Sequence, residues 1–178
     1  MKARCDLSSI SDNQARTECF KKYHWCDVWE LVITYESDYT NTRLLRDIVD
    51  DFCVRFNVPV KWRTRIVLIF DELNNNAIEH GGVKGDAHIC YIALKKIKKG
   101  IIVSWYVEDT GNTDHAKSYL ELRELQKSMR HKDFSQHTPI RGRGLFLIIS
   151  QIVDVLEFQE SSLGGVRVYF EKTITLNS

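Results

Sequence analysis

The sequence predicts an α/β (α+β) two-layer sandwich, with a mixed, mostly antiparallel sheet carrying helices on one face. Three observations point there. Apolar residues recur with period two in some stretches and with helical period in others, and these stretches follow one another as β-α-α-β-β-connection-α-β-β. A chain of 178 residues with 43% hydrophobic content can bury one real core, and no linker-like stretch divides it. The expected organisation is therefore a polar N-terminal extension over residues 1–26, as a flexible arm or a short surface helix, followed by one domain over 27–175.

Each element has its own signal. Trp29, Leu31, Ile33 and Tyr35 alternate with Glu30, Thr34 and Glu36, as in a strand with one buried face. Ser37 or Asp38 can cap a helix that runs to about Asn57, with Leu44, Leu45, Ile48, Val49, Phe52 and Phe56 on its apolar side. Pro59 breaks the chain, and a second helix is expected from about Lys61 to His80, buried through Ile66, Ile69, Phe70, Leu73 and Ala77. Gly81-Gly82 ends it, since glycine adopts a left-handed C-terminal cap at little cost. Strands near 87–95 and over 101–108, joined at Lys98-Lys99-Gly100, form a hairpin, which makes the basic run 95–99 a solvated tip. Leu122, Leu125 and Met129 mark a short amphipathic helix inside the long 110–141 connection, which reads as a lid. Leu145, Ile148, Ile149 and Ile152 mark a last helix, and strands 155–160 and 166–171 close the domain.

Composition removes several function classes. A net charge of +1 gives no bulk electrostatic case for nucleic acid or an anionic membrane as partner. The N-terminus has no apolar signal region and no later segment is long enough to span a bilayer, so a cytoplasmic protein is expected. Five cysteines in no pattern read as reduced thiols, Cys53 and Cys90 as small core residues. Cys19, His24 and Cys26 lack a fourth partner at metal-finger spacing, and His115, His131 and His137 are irregularly spaced, so neither set is read as a metal site.

Three short motifs carry chemistry. Glu72 and Asn76 are four residues apart, hence one turn apart on one face of the second helix, away from Leu73 and Ala77. The carboxylate can take a proton from an attacking hydroxyl, and the amide oxygen can serve Mg²⁺ beside phosphates; a solvated helix face is the equally good alternative. Asp109-Thr-Gly111 falls where a strand ends. Its carboxylate can accept a hydrogen bond from an exocyclic amine and its glycine admits a flat ring, although Asp-x-Gly is also ordinary turn chemistry. Arg141-Gly142-Arg143-Gly144-Leu145-Phe146 opens an apolar helix, where exposed N–H groups can cradle an anion or merely form a tight loop.

Taken together and in this order, Glu72-x-x-x-Asn76-Ala77 with His80-Gly81, Asp109-x-Gly111, and Gly142-x-Gly144-Leu145-Phe146 resemble the N, G1 and G2 boxes of the GHKL (histidine kinase-like, HATPase_c) ATP-binding superfamily. The short chain, the opening strand-helix-helix and the ending GGVRVYFEKTI are most similar to anti-sigma-factor serine/threonine kinases. The resemblance implies a Bergerat fold binding ATP with Mg²⁺. It makes Asp109 the adenine residue, Asn76 the metal ligand and Glu72 the general base. Gly111, Gly142, Gly144 and Leu145 would line the nucleotide, with Arg141 or Arg143 on the phosphates. Asn74 and Asn75 receive no role and are expected to be solvated or behind the site. The implied partners are an anti-anti-sigma factor with a STAS domain and a sigma factor, and a homodimer is among the expected states. The alternatives are a catalytically silent ATP-binding module that sequesters a partner, and a histidine kinase catalytic module, for which the N-terminal arm is too short to hold a phosphoacceptor hairpin. The first glycine box, Asp109-Thr-Gly-Asn-Thr113, departs from the family in lacking a second glycine.

Overall fold

The computed structural model describes residues 2–6, 28–130 and 152–176. Six strands form one sheet: β1 (Lys2–Asp6), β2 (Val28–Glu36), β3 (Ala87–Ile97), β4 (Gly100–Glu108), β5 (Val155–Glu160) and β6 (Val166–Thr175). Their order is β1-β2-β3-β4-β6-β5. β1 runs parallel to β2 and every other neighbouring pair is antiparallel, so the sheet is mixed and mostly antiparallel, as the sequence predicts. β1 falls within the stretch expected as an arm or short helix. Five residues without an apolar alternation leave no strand signature, and the pairing comes from the β2 edge rather than from local preference.

Helices α1 (Thr40–Arg55) and α2 (Val60–His80) pack together on one face of the sheet. At the start of α1 the Asp38 carboxylate accepts the Thr40 N–H at 2.8 Å, which holds its pKa below the usual value. Asn57, with φ of 55°, takes the left-handed conformation just after α1, where asparagine is tolerated. Pro59 then adopts ψ of 138° ahead of α2 and its carbonyl accepts the N–H groups of Trp62 and Arg63. Leu45, Ile48, Val49 and Phe52 from α1 and Ile66, Ile69, Phe70 and Leu73 from α2 bury against Leu31, Ile33, Ile92, Leu94, Val103 and Phe170 of the sheet. Trp105 stacks on Phe170 at 5.3 Å in this layer. Cys53 and Cys90 are buried in it, and burial pushes the Cys53 thiol up to about 12, so it is inert at neutral pH.

Helix α3 (Tyr119–Arg130) begins with reciprocal bonds: Ser118 donates its N–H and hydroxyl to Glu121 Oε2, and the Glu121 N–H returns to Ser118 Oγ. It lies along β5, where Arg123 Nε donates to the Phe158 carbonyl at 2.6 Å and Gln126 Nε2 to the Leu156 carbonyl at 3.1 Å. The first part of the connection expected as a lid is therefore anchored to the sheet. The expected helix over 145–152 lies outside the described residues except for its end at Ile152.

Candidate functional site

The end of α2, the end of β4 and the β5–β6 turn meet at one edge of the sandwich. What draws them together is a buried carboxylate, Glu108, the last residue of β4. Its Oε1 accepts Arg167 Nη2 at 2.6 Å and Nε at 2.8 Å, and its Oε2 accepts the N–H and hydroxyl of Ser162 and the hydroxyl of Ser161. Burial alone would raise its pKa, but the Ser162 and Arg167 bonds together hold it below the usual value. This clasp draws the turn 161–165 against the next residue, Asp109.

Asp109 continues the ladder by one residue: its N–H donates to Val166 O at 3.0 Å and its Oδ1 accepts the Val166 N–H at 2.9 Å. Oδ2 carries no hydrogen bond among the described residues. Burial pushes the carboxyl up to about 6, against the pull of the Val166 and Gly111 amides, and the neighbouring Glu108 charge pushes the same way as burial. At pH 7 the group is ionised and can accept a hydrogen bond.

Glycines make room for it. A Cβ on Gly81 would lie 2.4 Å from Asp109 Cβ and Cγ, and one on Gly165 would lie 2.1 Å from Asp109 Oδ1 and 2.4 Å from Gly111 N. Gly111, at φ of 68°, is in the left-handed region and donates its N–H to Gly81 O at 2.7 Å. Thr110 Oγ1 also reaches Gly81 O, and Thr113 Oγ1 donates to His80 O. Asp86 binds the rest of the loop, its Oδ2 accepting from Val83 N, Thr110 Oγ1 and Asn112 Nδ2.

Glu72 and Asn76 sit on α2 as their spacing predicts, Glu72 half-buried and Asn76 exposed, while Leu73 and Ala77 enter the core. Neither makes a side-chain hydrogen bond or ion pair among the described residues, so both can meet a ligand. Asn74 departs from the solvated alternative: it is buried, its Nδ2 donating to Phe70 O at 2.6 Å and its Oδ1 without a partner among the described residues. With about 100° of rotation per residue, Ile66, Ile69, Phe70, Leu73, Ala77 and Ile78 share one buried arc of α2, and Asn74 falls inside that arc while Asn76 falls outside it. Gly81 also departs: at φ of −104° it is not left-handed, and it is glycine because Asp109 fills the place of a side chain.

Gly165 and Asp86 are therefore candidate site residues that sequence reasoning left as a turn and an unremarked loop residue, and Gly81, quoted with His80 in the first motif, had been given no packing role beyond ending the helix. The Gly-Gly doublets at 81–82 and 164–165 were the available signal. Arg141, Gly142, Arg143, Gly144 and Leu145 lie outside the described residues, as do Cys19, His24, Cys26, His131 and His137. His115 is exposed, and no group of three or more metal-ligating side chains occurs among the described residues. No helix among them is long and apolar enough to cross a membrane.

The arrangement fits the base of an adenine nucleotide. A half-buried carboxylate offers one free oxygen to an amine, and a neutral amide oxygen waits one helical turn from a second carboxylate; the side-chain place of Gly111, expected to admit a flat ring, is filled by Gly165 Cα. Residues 35–172 match the model of the histidine kinase-like ATPase domain, and the chain belongs to this family of the GHKL superfamily. No curated protein matches the chain significantly. Domains of this family bind ATP, usually with Mg²⁺.

Gly165→Ala tests the glycine packing directly. The new methyl meets backbone at Gly111 N and at the Thr110 carbonyl carbon, 2.7 Å away, as well as Asp109, so a rotamer change cannot relieve it. We expect a loss of about 1–3 kcal/mol in urea unfolding together with loss of nucleotide binding, the scale of overpacking a rigid site.

Proposed function

We propose that this ATPase-family domain is a cytoplasmic serine/threonine kinase and anti-sigma factor. It transfers the γ-phosphoryl group of ATP to a Ser or Thr of a STAS-type anti-anti-sigma factor, and in the alternative state holds a sigma factor, so that partner switching controls transcription. The observation that carries this reading is the alignment on α2. Asp109 abuts the helix end at Gly81, Asn76 lies five residues back and Glu72 nine, which at 1.5 Å per residue places them about 7 and 13 Å along the axis. That order matches adenine, phosphates and acceptor hydroxyl in turn.

In this mechanism Asp109 Oδ2 accepts from the adenine amine and sets the register of the nucleotide. Asn76 Oδ1 would hold Mg²⁺, which when bound neutralises phosphate charge. Glu72, half-buried and unpaired among the described residues, accepts the proton of the incoming hydroxyl as the new P–O bond forms and the bond to the leaving diphosphate breaks. Incubation with γ-labelled ATP and STAS-domain proteins tests the assignment. Label on a STAS serine or threonine supports it, ATP binding without transfer points to a silent sequestering module, and label on the chain itself points to histidine kinase chemistry.

A further inference from the structure

Behind the nucleotide site lies a second polar cluster that the proposed mechanism does not use. Tyr35 and His88 are register partners at the site end of β2 and β3, with rings 5.4 Å apart. Their exposures are 2% and 0%, yet the Tyr35 hydroxyl and both His88 nitrogens have no hydrogen-bond partner among the described residues. The cluster adjoins the floor of the site. A Cβ on Gly82 would lie 2.6 Å from His88 Cε1 and 2.9 Å from Nε2, just as one on Gly81 would strike Asp109. Two consecutive glycines thus rest one against Asp109 and the next against the imidazole.

The chemistry of the pair suits neither packing nor charge. Burial, then the nearby Cys90 and Asp109, pushes the Tyr35 hydroxyl well above its ordinary value, while burial pushes His88 down against the pull of Asp86. Both are neutral at pH 7. A neutral imidazole has one donor and one acceptor, and a phenol has a donor and acceptor lone pairs. Apolar rings of the same shape would fill the space without leaving polar atoms unpaired, so the polar types need a cause. Buried water meets such groups with about three hydrogen bonds.

We propose that Tyr35 and His88 hold a buried water behind Gly81–Gly82 that donates toward Asp109, which makes both of them positioning residues for the carboxylate that reads the nucleotide. The inference rests on the nucleotide reading of Asp109 given above. Donors aimed at a carboxylate favour its ionised form, so the relay opposes burial and keeps Asp109 an acceptor at neutral pH. The other titratable groups around it are engaged or fixed. Glu108 is tied to Arg167 and Ser162, Asp86 to Thr110 and Asn112, and Cys90 is buried in the core.

The test is a carbon-13 carboxyl titration of Asp109 in the full chain without nucleotide, comparing wild type with Tyr35→Phe, and with His88→Phe in case the first variant fails to fold. The expected result is an Asp109 midpoint raised by about half a unit or more, the direction of a lost donor. A midpoint unchanged in the folded variants overturns the proposal. Fluorescent ATP-analogue binding supplies the second readout: Tyr35→Phe should weaken it about twofold or more near pH 6, close to the Asp109 midpoint, and recover most of the loss near pH 8.5, where Asp109 is ionised regardless. A purely structural role would weaken binding equally at both, which also overturns the proposal. Should the wild type bind no nucleotide, the nucleotide reading fails while the carboxyl titration still decides the relay.

Discussion

Replacing Glu72 with glutamine should lower phosphoryl transfer to a protein hydroxyl by about 10²- to 10⁴-fold, the scale of losing a general base. The change is nearly isosteric, and Glu72 has no hydrogen bond or ion pair among the described residues, so stability and ATP affinity should stay near wild type. Asn76→Ala should behave differently. It removes the neutral oxygen assigned to the metal, so Mg-dependent nucleotide binding and transfer should fall together. Calorimetry and single-turnover transfer separate the two outcomes. A Glu72→Gln protein that transfers at the wild-type rate would show that this carboxylate is not the base.

Asp109→Asn should move stability and binding in opposite directions. With its oxygen fixed on the Val166 N–H at the Oδ1 position, the amide would point its NH₂ where Oδ2 now lies, opposing the adenine amine donor to donor. Nucleotide affinity should drop by about 10²-fold or more, since a site built for that hydrogen bond is left mismatched. Stability without nucleotide should rise at neutral pH. A carboxyl whose pKa goes from the ordinary 3.8 to about 6 on folding binds its proton more tightly in the fold. Its contribution therefore favours the fold below about pH 4 and is lost as pH rises through about 6. At pH 7 the ionised, partly buried group works against folding by about 1–3 kcal/mol, after allowance for its partial exposure. Urea unfolding near pH 7.5 should show Asp109→Asn to be the more stable protein, and near pH 4 the advantage should vanish. An equal or lower urea midpoint near pH 7.5 would refute the strained-carboxylate account.

The elements of the sandwich were legible because their apolar periods are long and unbroken. Ile66, Ile69, Phe70, Leu73 and Ala77 could only be one helix face, and the strand pair around Lys98-Lys99 follows from two alternating runs and a turn. β1 was not legible, because its place depends on the β2 edge and not on its own residues. In the site, Glu72 and Asn76 could be read from helical spacing. Asn74 could not be placed, because an amide with one bond to the Phe70 carbonyl and one unpaired oxygen inside a core runs against the composition rule. Gly81 and Gly165 were hidden for a different reason. A glycine required by a side chain distant in sequence looks the same, in sequence, as one required by its own backbone angles.

Arg123 and Gln126 bear on how the molecule behaves in concentrated solution. A strand at the border of a sheet offers unpaired backbone groups on which another chain can build, and β5, with Leu156 and Phe158, would be an adhesive border. Two of its carbonyls are already engaged by side chains of α3. A helix that the sequence suggests as part of a moving cover thus also acts as a guard against strand-to-strand association, and wherever the rest of the connection goes, this part must stay put for the border to remain closed.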